Sequence, residues 1–352
     1  MTVDGTWIGR RGAGLMVGPL LLGFSATVVA QEGREAVGDA PRDTGPQVTV
    51  FEERGMLTPQ GQWVIEPSLA YVHSSALDVS IEGFTIIPAL AIGLIDVSET
   101  ERDTLTAAVA LRYGLTDRLE VGLKIPWVYR EQQVRRRDIL EGTELERVTG
   151  STGSGLGDIE FGLSYQFNTA DRGRPFFIGN LKAKSRTGTD PFSVDRRRIV
   201  DEDGNRLGEI FLEQPTGSGF WAVQPSVTMI YPTDPAVLFA NVSYLWNIER
   251  DVGPDYGTVD PGDAFGASLG MAISLNDRTS MSLGYDHSVV FRTRVENDPG
   301  LEPVFGRRQV GTLLWGVSHR LTERTSLNFS LGVGVTESAP DVQMTVRVPM
   351  RF

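Results

Sequence analysis

From about residue 100 to the C-terminus, apolar residues alternate with polar or small ones in short segments that are separated by turns. In the segment 119–129, bulky apolar and aromatic residues occupy most odd positions, while glycine and charged residues are common at the even ones. The segments 158–167 and 326–335 repeat this pattern. A period of two indicates β-strands whose two faces lie in different environments. The sequence therefore predicts an all-β protein.

The lengths of the connections alternate as well. Short connections are expected at 114–118, 168–174, 232–235, 276–278 and 322–324, and long ones near 131–154, 188–216, 249–261 and 292–306. Only the short loop near 337–340 breaks this rule. Short turns at one end and long loops at the other are typical of outer-membrane barrels. We therefore expect a transmembrane antiparallel up-and-down β-barrel, with a soluble β-sandwich or barrel as the alternative.

The number of strands follows from counting back from Phe352, whose strand must end in the periplasm. Eleven strands are predicted near 101–113, 119–130, 155–167, 175–187, 219–231, 236–248, 262–274, 279–292, 307–320, 325–336 and 342–352. An even count needs one more strand, for which the alternating segments 62–73 and 84–94 compete. We expect about twelve strands, with the other segment in the lumen or at a rim. Fourteen strands, with 48–53 added, is the alternative.

Composition and charge exclude several classes of protein. Beyond the N-terminus no run reaches the roughly 18 apolar residues of a transmembrane helix. The absence of cysteine excludes thiolate nucleophiles and disulfides. A net charge of −12 argues against nucleic acid as a partner.

The N-terminus resembles a secretion signal. Arg10 and Arg11 precede an apolar stretch at 12–27, and small residues end at Ala30, so the mature chain should begin at Gln31. An uncleaved anchor helix is the alternative. The predicted organisation is a signal peptide at 1–30, a flexible periplasmic segment at 31–60 and an outer-membrane β-barrel at 61–352. The expected location is the outer membrane of a Gram-negative bacterium.

Aromatic residues are expected to form two girdles at the membrane interfaces. Those next to long loops are Trp127, Tyr129, Trp221, Trp246, Phe265 and Phe291, and those at the opposite ends are Tyr113, Phe167, Tyr231 and Phe352. Phe352 ends an alternating strand, which resembles the signal that the barrel-assembly machinery recognises. The other expected partners are outer-membrane lipid and lipopolysaccharide. The arginine runs 135–137 and 196–198 could contact lipopolysaccharide phosphates or simply be solvated.

The polar face of the strands supplies the candidate lumen residues. They are Arg112, Glu120, Lys124, Asp158, Glu160, Lys182, Lys184, Arg186, Arg308, Arg347 and Arg351. Arg112 and Glu120 lie at similar distances from the turn 114–118, so we expect them to pair.

A charged seam is predicted on two neighbouring strands. Antiparallel folding about the turn 168–174 would place Asp158 opposite Lys184 and Glu160 opposite Lys182. These pairs could only neutralise each other and fix the register. Alternatively, the excess of basic side chains leaves the lumen favourable to anions.

The sequence gives little support for a catalytic site. The only histidines, at 73, 287 and 319, lie on different predicted strands, and the alternation turns the last two outward. Asp286 should face the opposite way from His287. No catalytic residue, cofactor or metal is therefore expected.

Two motifs resemble ligand loops only superficially. The glycine-rich 153–157 lacks the spacing of a phosphate loop, and we expect it to begin a strand. The segment 201–204 has its glycine at the wrong position for a calcium loop. We expect a hairpin there, with 199–200 pairing back toward 210–211.

Two stretches carry a family resemblance. RYGLTDRLEVGLKIPWVYR at 112–130 and GSGLGDIEFGLSYQF at 153–167 resemble the MetA-pathway of phenol degradation family of outer-membrane transporters. The same succession of strands and turns extends over most of the mature chain. The resemblance implies an envelope channel for hydrophobic or aromatic compounds and supplies no catalytic residues.

The leading hypothesis is a channel or transporter for small molecules, whose selectivity comes from lumen side chains and long loops. A structural or adhesive barrel with a blocked lumen is the second hypothesis. A barrel-embedded hydrolase is the third.

The predicted signal peptide can be tested directly. Mass spectrometry of the protein from cell envelopes should show a chain that begins at Gln31, because the small residues before it suit a signal peptidase. A chain that still carries residues 1–30 would contradict this prediction.

Overall fold

The computed structural model describes residues 57–84, 92–138, 146–168, 174–200, 206–254, 257–296 and 307–352. The predicted signal peptide and most of the segment 31–60 lie outside these residues. The described part contains these strands: β1 Trp63–Phe84, β2 Ile92–Thr116, β3 Leu119–Asp138, β4 Glu146–Leu156, β5 Glu160–Gln166, β6 Phe176–Lys184, β7 Arg196–Val200, β8 Arg206–Phe211, β9 Ala222–Pro232, β10 Ala236–Asn247, β11 Arg250–Asp251, β12 Thr258–Asp260, β13 Ala264–Asn276, β14 Thr279–Val290, β15 Arg294–Val295, β16 Arg308–Arg320, β17 Ser326–Gly334, β18 Val342–Arg347 and β19 Met350–Arg351. Across these ranges we find no helix of the length and apolarity that a membrane crossing requires.

The main sheet closes on itself. Its strands pair antiparallel in the order β1, β2, β3, β5, β6, β9, β10, β13, β14, β16, β17 and β18, and β18 returns to β1. Ser68 lies opposite Arg347 at the closing pair, and Val64 lies opposite Arg351 of β19. β4 and β5 pair one after the other with β3 and together form one crossing of the wall. β18 and β19 likewise pair one after the other with β1 and form another. The predicted twelve-stranded barrel is thus confirmed.

β1 shows which of the segments 62–73 and 84–94 supplies the twelfth strand. The segment 62–73 lies almost entirely in β1, which crosses the barrel wall beside β2. The described ends of the segment 84–94 form the far end of the same hairpin, where Phe84 lies opposite Ile92.

The first three strands are longer than the alternation predicts. β1, β2 and β3 contain 22, 25 and 20 residues, whereas a tilted membrane strand needs only about 9–11. The loop predicted at 131–154 is wrong, because β3 runs to Asp138 and β4 begins at Glu146. Above the membrane no lipid requires an apolar face, so charged residues interrupt the pattern while the backbone ladder continues.

The two faces of the wall differ as the alternation predicts. Outward side chains are apolar and exposed, such as Leu269 at 63% and Trp127 at 57%. Inward positions on the same strands carry buried polar residues, such as Glu120 and Ser268. An apolar exterior around a polar interior is the inverse of a soluble protein and suits a lipid environment.

Aromatic side chains are exposed near both rims. Beside the long loops, Trp127, Tyr129, Trp221, Trp246, Phe265 and Phe291 are all more than 40% exposed. At the opposite rim Trp63 packs on Tyr113 with ring centroids 4.5 Å apart, and Phe167 and Phe352 are exposed. Aromatic rings at both rims are typical of interfacial girdles, and those of Trp and Tyr are also amphipathic.

The lipid-facing surface makes a quantitative prediction. Leu269→Arg should lower the free energy of unfolding in lipid vesicles by about 2–4 kcal/mol, because it places a cation near the middle of the apolar belt. Leu321→Arg, in an exposed turn at the rim, should cost at most about 1 kcal/mol. The folded fraction can be followed by heat-modifiable migration on gels. Equal losses in both variants would contradict the assigned membrane face.

Candidate permeation pathway

The strand register places nearly all of the candidate lumen residues on the inward face. Those in strands are Arg112, Glu120, Lys124, Glu160, Lys182, Lys184, Arg308, Arg347 and Arg351. Asp158 lies between β4 and β5 and is buried. Arg186 follows β6 and is exposed.

Three ion pairs form a charged seam along β1 to β6. Arg112 Nη2 lies 2.8 Å from Glu66 Oε2, and Lys124 Nζ lies 3.1 Å from Glu160 Oε1. Lys184 Nζ lies 3.8 Å from Asp158 Oδ2. Glu66 is the member that the sequence analysis missed, although its position in the alternation of 62–73 points inward. The predicted Asp158–Lys184 contact is present.

The register of the seam differs from the prediction by two residues. Lys184 lies opposite Glu160, and Lys182 lies opposite Gly162. The reason is Asn168, whose side chain donates to the Pro175 carbonyl and accepts from the Phe177 amide. These bonds set the centre of the hairpin, which the alternation alone leaves open.

The expected Arg112–Glu120 pair is also displaced. Arg112 lies opposite Gly122, and Glu120 lies opposite Gly114. The turn is centred on Asp117 and Arg118, because Thr116 lies opposite Leu119. A bulge between Gly114 and Thr116 then shifts the ladder by one residue. Arg112 pairs with Glu66 on β1 instead.

Residues 57–60, assigned from sequence to the periplasmic segment, are docked at the mouth of the barrel on the side of the short turns. The buried carboxylate of Glu120 accepts hydrogen bonds from Thr58 N at 2.8 Å and Thr58 Oγ1 at 2.6 Å. Gly61 N donates to the Gly114 carbonyl. A Cβ at Gly114 would lie 2.2 Å from the Pro59 carbonyl oxygen, so only glycine allows this approach.

Leu57 anchors the same segment on the other side of the mouth. It packs in a buried cluster with Phe176, Ile178 and Ile230, which are inward residues of β6 and β9. Leu57 contacts β6 and β9, whereas Trp63 begins β1 beside β2. The chain from Leu57 to Trp63 therefore runs across the mouth, past the ends of the strands that lie between. The docked segment therefore narrows this mouth of the barrel.

The long connection between β6 and β9 folds against the wall at the other end. Asp158 accepts hydrogen bonds from Gly188 N at 3.1 Å, Ser218 N at 2.9 Å and Ser218 Oγ at 2.7 Å. Two arms of the connection are thereby fixed to one buried carboxylate. The predicted hairpin within this connection is present as β7 and β8, but its register differs, because Ile210 lies opposite Arg197 and Ile199 lies opposite Gly208.

Small residues on β4 make room for this connection. A Cβ at Gly153 would lie 1.9 Å from the Gln214 carbonyl oxygen. Gln214 itself is buried and donates to Ser151 Oγ. The glycine-rich motif thus ends β4, rather than beginning a strand, and contacts the folded loop.

A second carboxylate joins two long connections. Arg250 donates to Asp190 Oδ2 and, at 2.7 Å, to the Gly219 carbonyl. Gly219 has φ +78°, and a Cβ there would lie 2.8 Å from Asp190 Oδ1. Phe192 packs edge-on against Phe220 nearby, with centroids 5.8 Å apart. No alternation pattern marks these loop residues, so sequence reasoning missed them.

A small sheet of β11, β12 and β15 links the neighbouring connections. Thr258 N donates to Glu296 Oε2 at 3.1 Å, and hydrogen bonds from Thr258 lower the pKa of Glu296.

The histidines do not form a catalytic triad with any described residue. His73 contacts Asp103, His287 contacts Tyr285, and His319 contacts Thr279, all on the outward parity. Asp286 is buried on the inward face, as the alternation predicts. Within the described ranges no group of acidic and histidine side chains is arranged to hold a metal ion.

Comparison with known proteins supports this architecture. The family described as "Putative MetA-pathway of phenol degradation" matches residues 211–352. The family resemblance is confirmed over these residues. The two stretches at 112–130 and 153–167 lie upstream of the matched region.

A solved outer-membrane barrel shares the fold. The crystal structure of an outer membrane channel from Pseudomonas putida F1 has a TM-score of 0.51 and 15% identity, covering 84% of this chain and 97% of that chain. The shared fold is an outer-membrane β-barrel. The toluene transporter TbuX from Ralstonia pickettii has a TM-score of 0.42 and 10% identity, covering 90% and 96%. The toluene transporter TodX from Pseudomonas putida has a TM-score of 0.37 and 9% identity, covering 84% and 89%.

The anchoring role of Asp158 is testable. Asp158→Ala should lower the stability of the folded connection by about 1–3 kcal/mol, because it leaves buried donors without an acceptor. Amide hydrogen exchange at Gly188 and Ser218 should accelerate. Glu323→Ala, at an exposed turn residue, should leave that exchange unchanged. Unchanged exchange in Asp158→Ala would show that the loop is held by other contacts.

Proposed function

We propose that this protein is an outer-membrane channel that admits small molecules, including hydrophobic or aromatic compounds. The observation that carries the proposal is a closed twelve-stranded barrel with an apolar exterior and a charged, polar interior. A polar, charged interior is typical of barrels whose lumen admits water or solute, as in porins. Insertion through Phe352, contact with lipopolysaccharide and export by a cleaved signal peptide belong to the same proposal.

The charge of the lumen favours anions in this proposal. Among inward strand residues with described side chains, basic residues outnumber acidic ones. The basic residues are Arg102, Arg112, Lys124, Arg130, Lys182, Lys184, Arg308, Arg320, Arg347 and Arg351, and the acidic ones are Glu66, Glu120, Glu160 and Asp286. The acidic residues that give the chain its net charge of −12 therefore lie mainly outside this group of inward strand residues. Selectivity for anions would follow from this lining.

A structural barrel with a blocked lumen is the second candidate. The docked segment 57–60 and the folded connection between β6 and β9 favour it, because they narrow opposite ends of the barrel. A channel instead requires that the docked segment leave or shift during passage.

Releasing the docked segment distinguishes the two candidates. The double variant Leu57→Ser with Thr58→Val removes the apolar anchor and one hydrogen bond to Glu120. We expect its conductance in planar bilayers to exceed that of the wild-type protein severalfold. Gln60→Ala is the matched control, because Gln60 donates only through its backbone N to Asp117.

If neither the wild-type protein nor the double variant conducts ions, the channel proposal fails and the blocked barrel is supported. Turnover of phospholipid or peptide by the purified protein would instead support the hydrolase.

A further inference from the structure

Two glycines lie side by side on the lumen face of the charged seam. Gly122 of β3 lies directly opposite Gly162 of β5. A Cβ at Gly162 would meet nothing nearer than Gly122 at 4.0 Å, and one at Gly122 would meet only Leu111 O at 3.6 Å and Arg112 Cγ at 3.7 Å. The space above both backbones is therefore open to the lumen. We call this space, floored by Gly122 and Gly162, the lumen notch.

Cationic side chains border the lumen notch. In the same row of the sheet, Arg112 lies opposite Gly122 on β2, and Lys182 lies opposite Gly162 on β6. From Arg112 to Lys182 the row covers three strand spacings, or about 14 Å of wall. At Gly122 and Gly162 two neighbouring strands carry no side chain, and this width gives room for a single aromatic ring.

The acidic side chains around the lumen notch already have partners. Glu66 pairs with Arg112, and Glu160 pairs with Lys124, one step along the strands. Glu120, on the other side of Gly122, accepts two hydrogen bonds from Thr58.

Lys182 is the exception among these bordering charges. Among the described residues none forms a hydrogen bond or ion pair with its ammonium group, and Lys182 as a whole residue is half-buried. An ammonium group without a counter-ion in the wall is available to pair with an anion from solution, and such a charge-assisted contact is stronger than a neutral hydrogen bond. A single uncompensated positive charge suits a monovalent anion, whereas Glu120 and Glu160 would repel a dianion.

We propose that the lumen notch binds the carboxylate of a small aromatic acid, with the carboxylate paired to Lys182 and the ring lying over Gly122 and Gly162. This inference rests on the proposed function, since it assumes that solute enters the lumen. It narrows the solute class from aromatic compounds in general to monovalent aromatic anions.

Calorimetric titration of the purified, folded protein with benzoate tests the charge. Lys182→Gln should weaken benzoate binding about three- to tenfold, as expected for loss of one charged contact. Lys182→Arg should retain binding, because the charge remains. Arg320→Gln is the matched control, since it removes an inward charge from β16, away from the notch, and should bind benzoate as the wild-type protein does. Benzyl alcohol, which lacks the charge, should bind more weakly than benzoate to the wild-type protein.

Gly162→Val tests the space, because its side chain fills the notch without changing any charge. We expect it to weaken benzoate binding while its migration on gels remains heat-modifiable. If this variant does not fold, Lys182→Gln remains decisive. Equal benzoate affinity in Lys182→Gln and wild-type protein would overturn the inference, and so would equal binding of benzoate and benzyl alcohol.

The two proposals fail separately. Benzoate binding that depends on Lys182, without any solute passage in liposomes, would support the notch and overturn the channel. Solute passage with benzoate binding that is insensitive to Lys182→Gln would support the channel and overturn the notch.

Discussion

A strand in lipid has no water to satisfy its backbone N–H and C=O groups, so every group must bond to a neighbouring strand. Closure between β1 and the final strands meets this requirement and leaves the membrane-spanning part of the main sheet without an open edge. The antiparallel ladder of twelve passages follows from it. So does the strict separation of two faces, because a closed wall exposes one side chain in two to lipid and the next to the lumen.

The polar face then has its own constraint, which is that charges taken out of bulk water need partners. Arg112, Lys124 and Lys184 meet it through neighbouring carboxylates of the seam. Asp158 and Glu120 meet it differently, by accepting hydrogen bonds from chain segments that fold onto the wall. The same carboxylates that line the lumen thus hold the segments that narrow it, and loop placement and lumen chemistry are coupled.

The alternation of residues predicts most of the barrel, since the lipid and lumen environments act on each strand separately. It does not predict the extensions of β2 and β3, where charged residues continue the ladder above the membrane. Nor does it fix the register at hairpins. The side-chain bonds of Asn168 in one hairpin, and a turn centred on Asp117 and Arg118 in the other, each moved a predicted pair by two residues while the parity stayed correct.

The sequence by itself determined the class of fold, the count of about twelve strands and the inward parity of residues such as Lys124 and Lys182. These follow from a local period of two, which any strand between lipid and lumen must show. Only the tertiary structure decided that Glu66 partners Arg112, that Leu57 reaches Ile178, and that Arg250 joins Asp190. Those contacts connect residues far apart in the chain, and their geometry depends on barrel closure and loop folding rather than on any pattern within one strand.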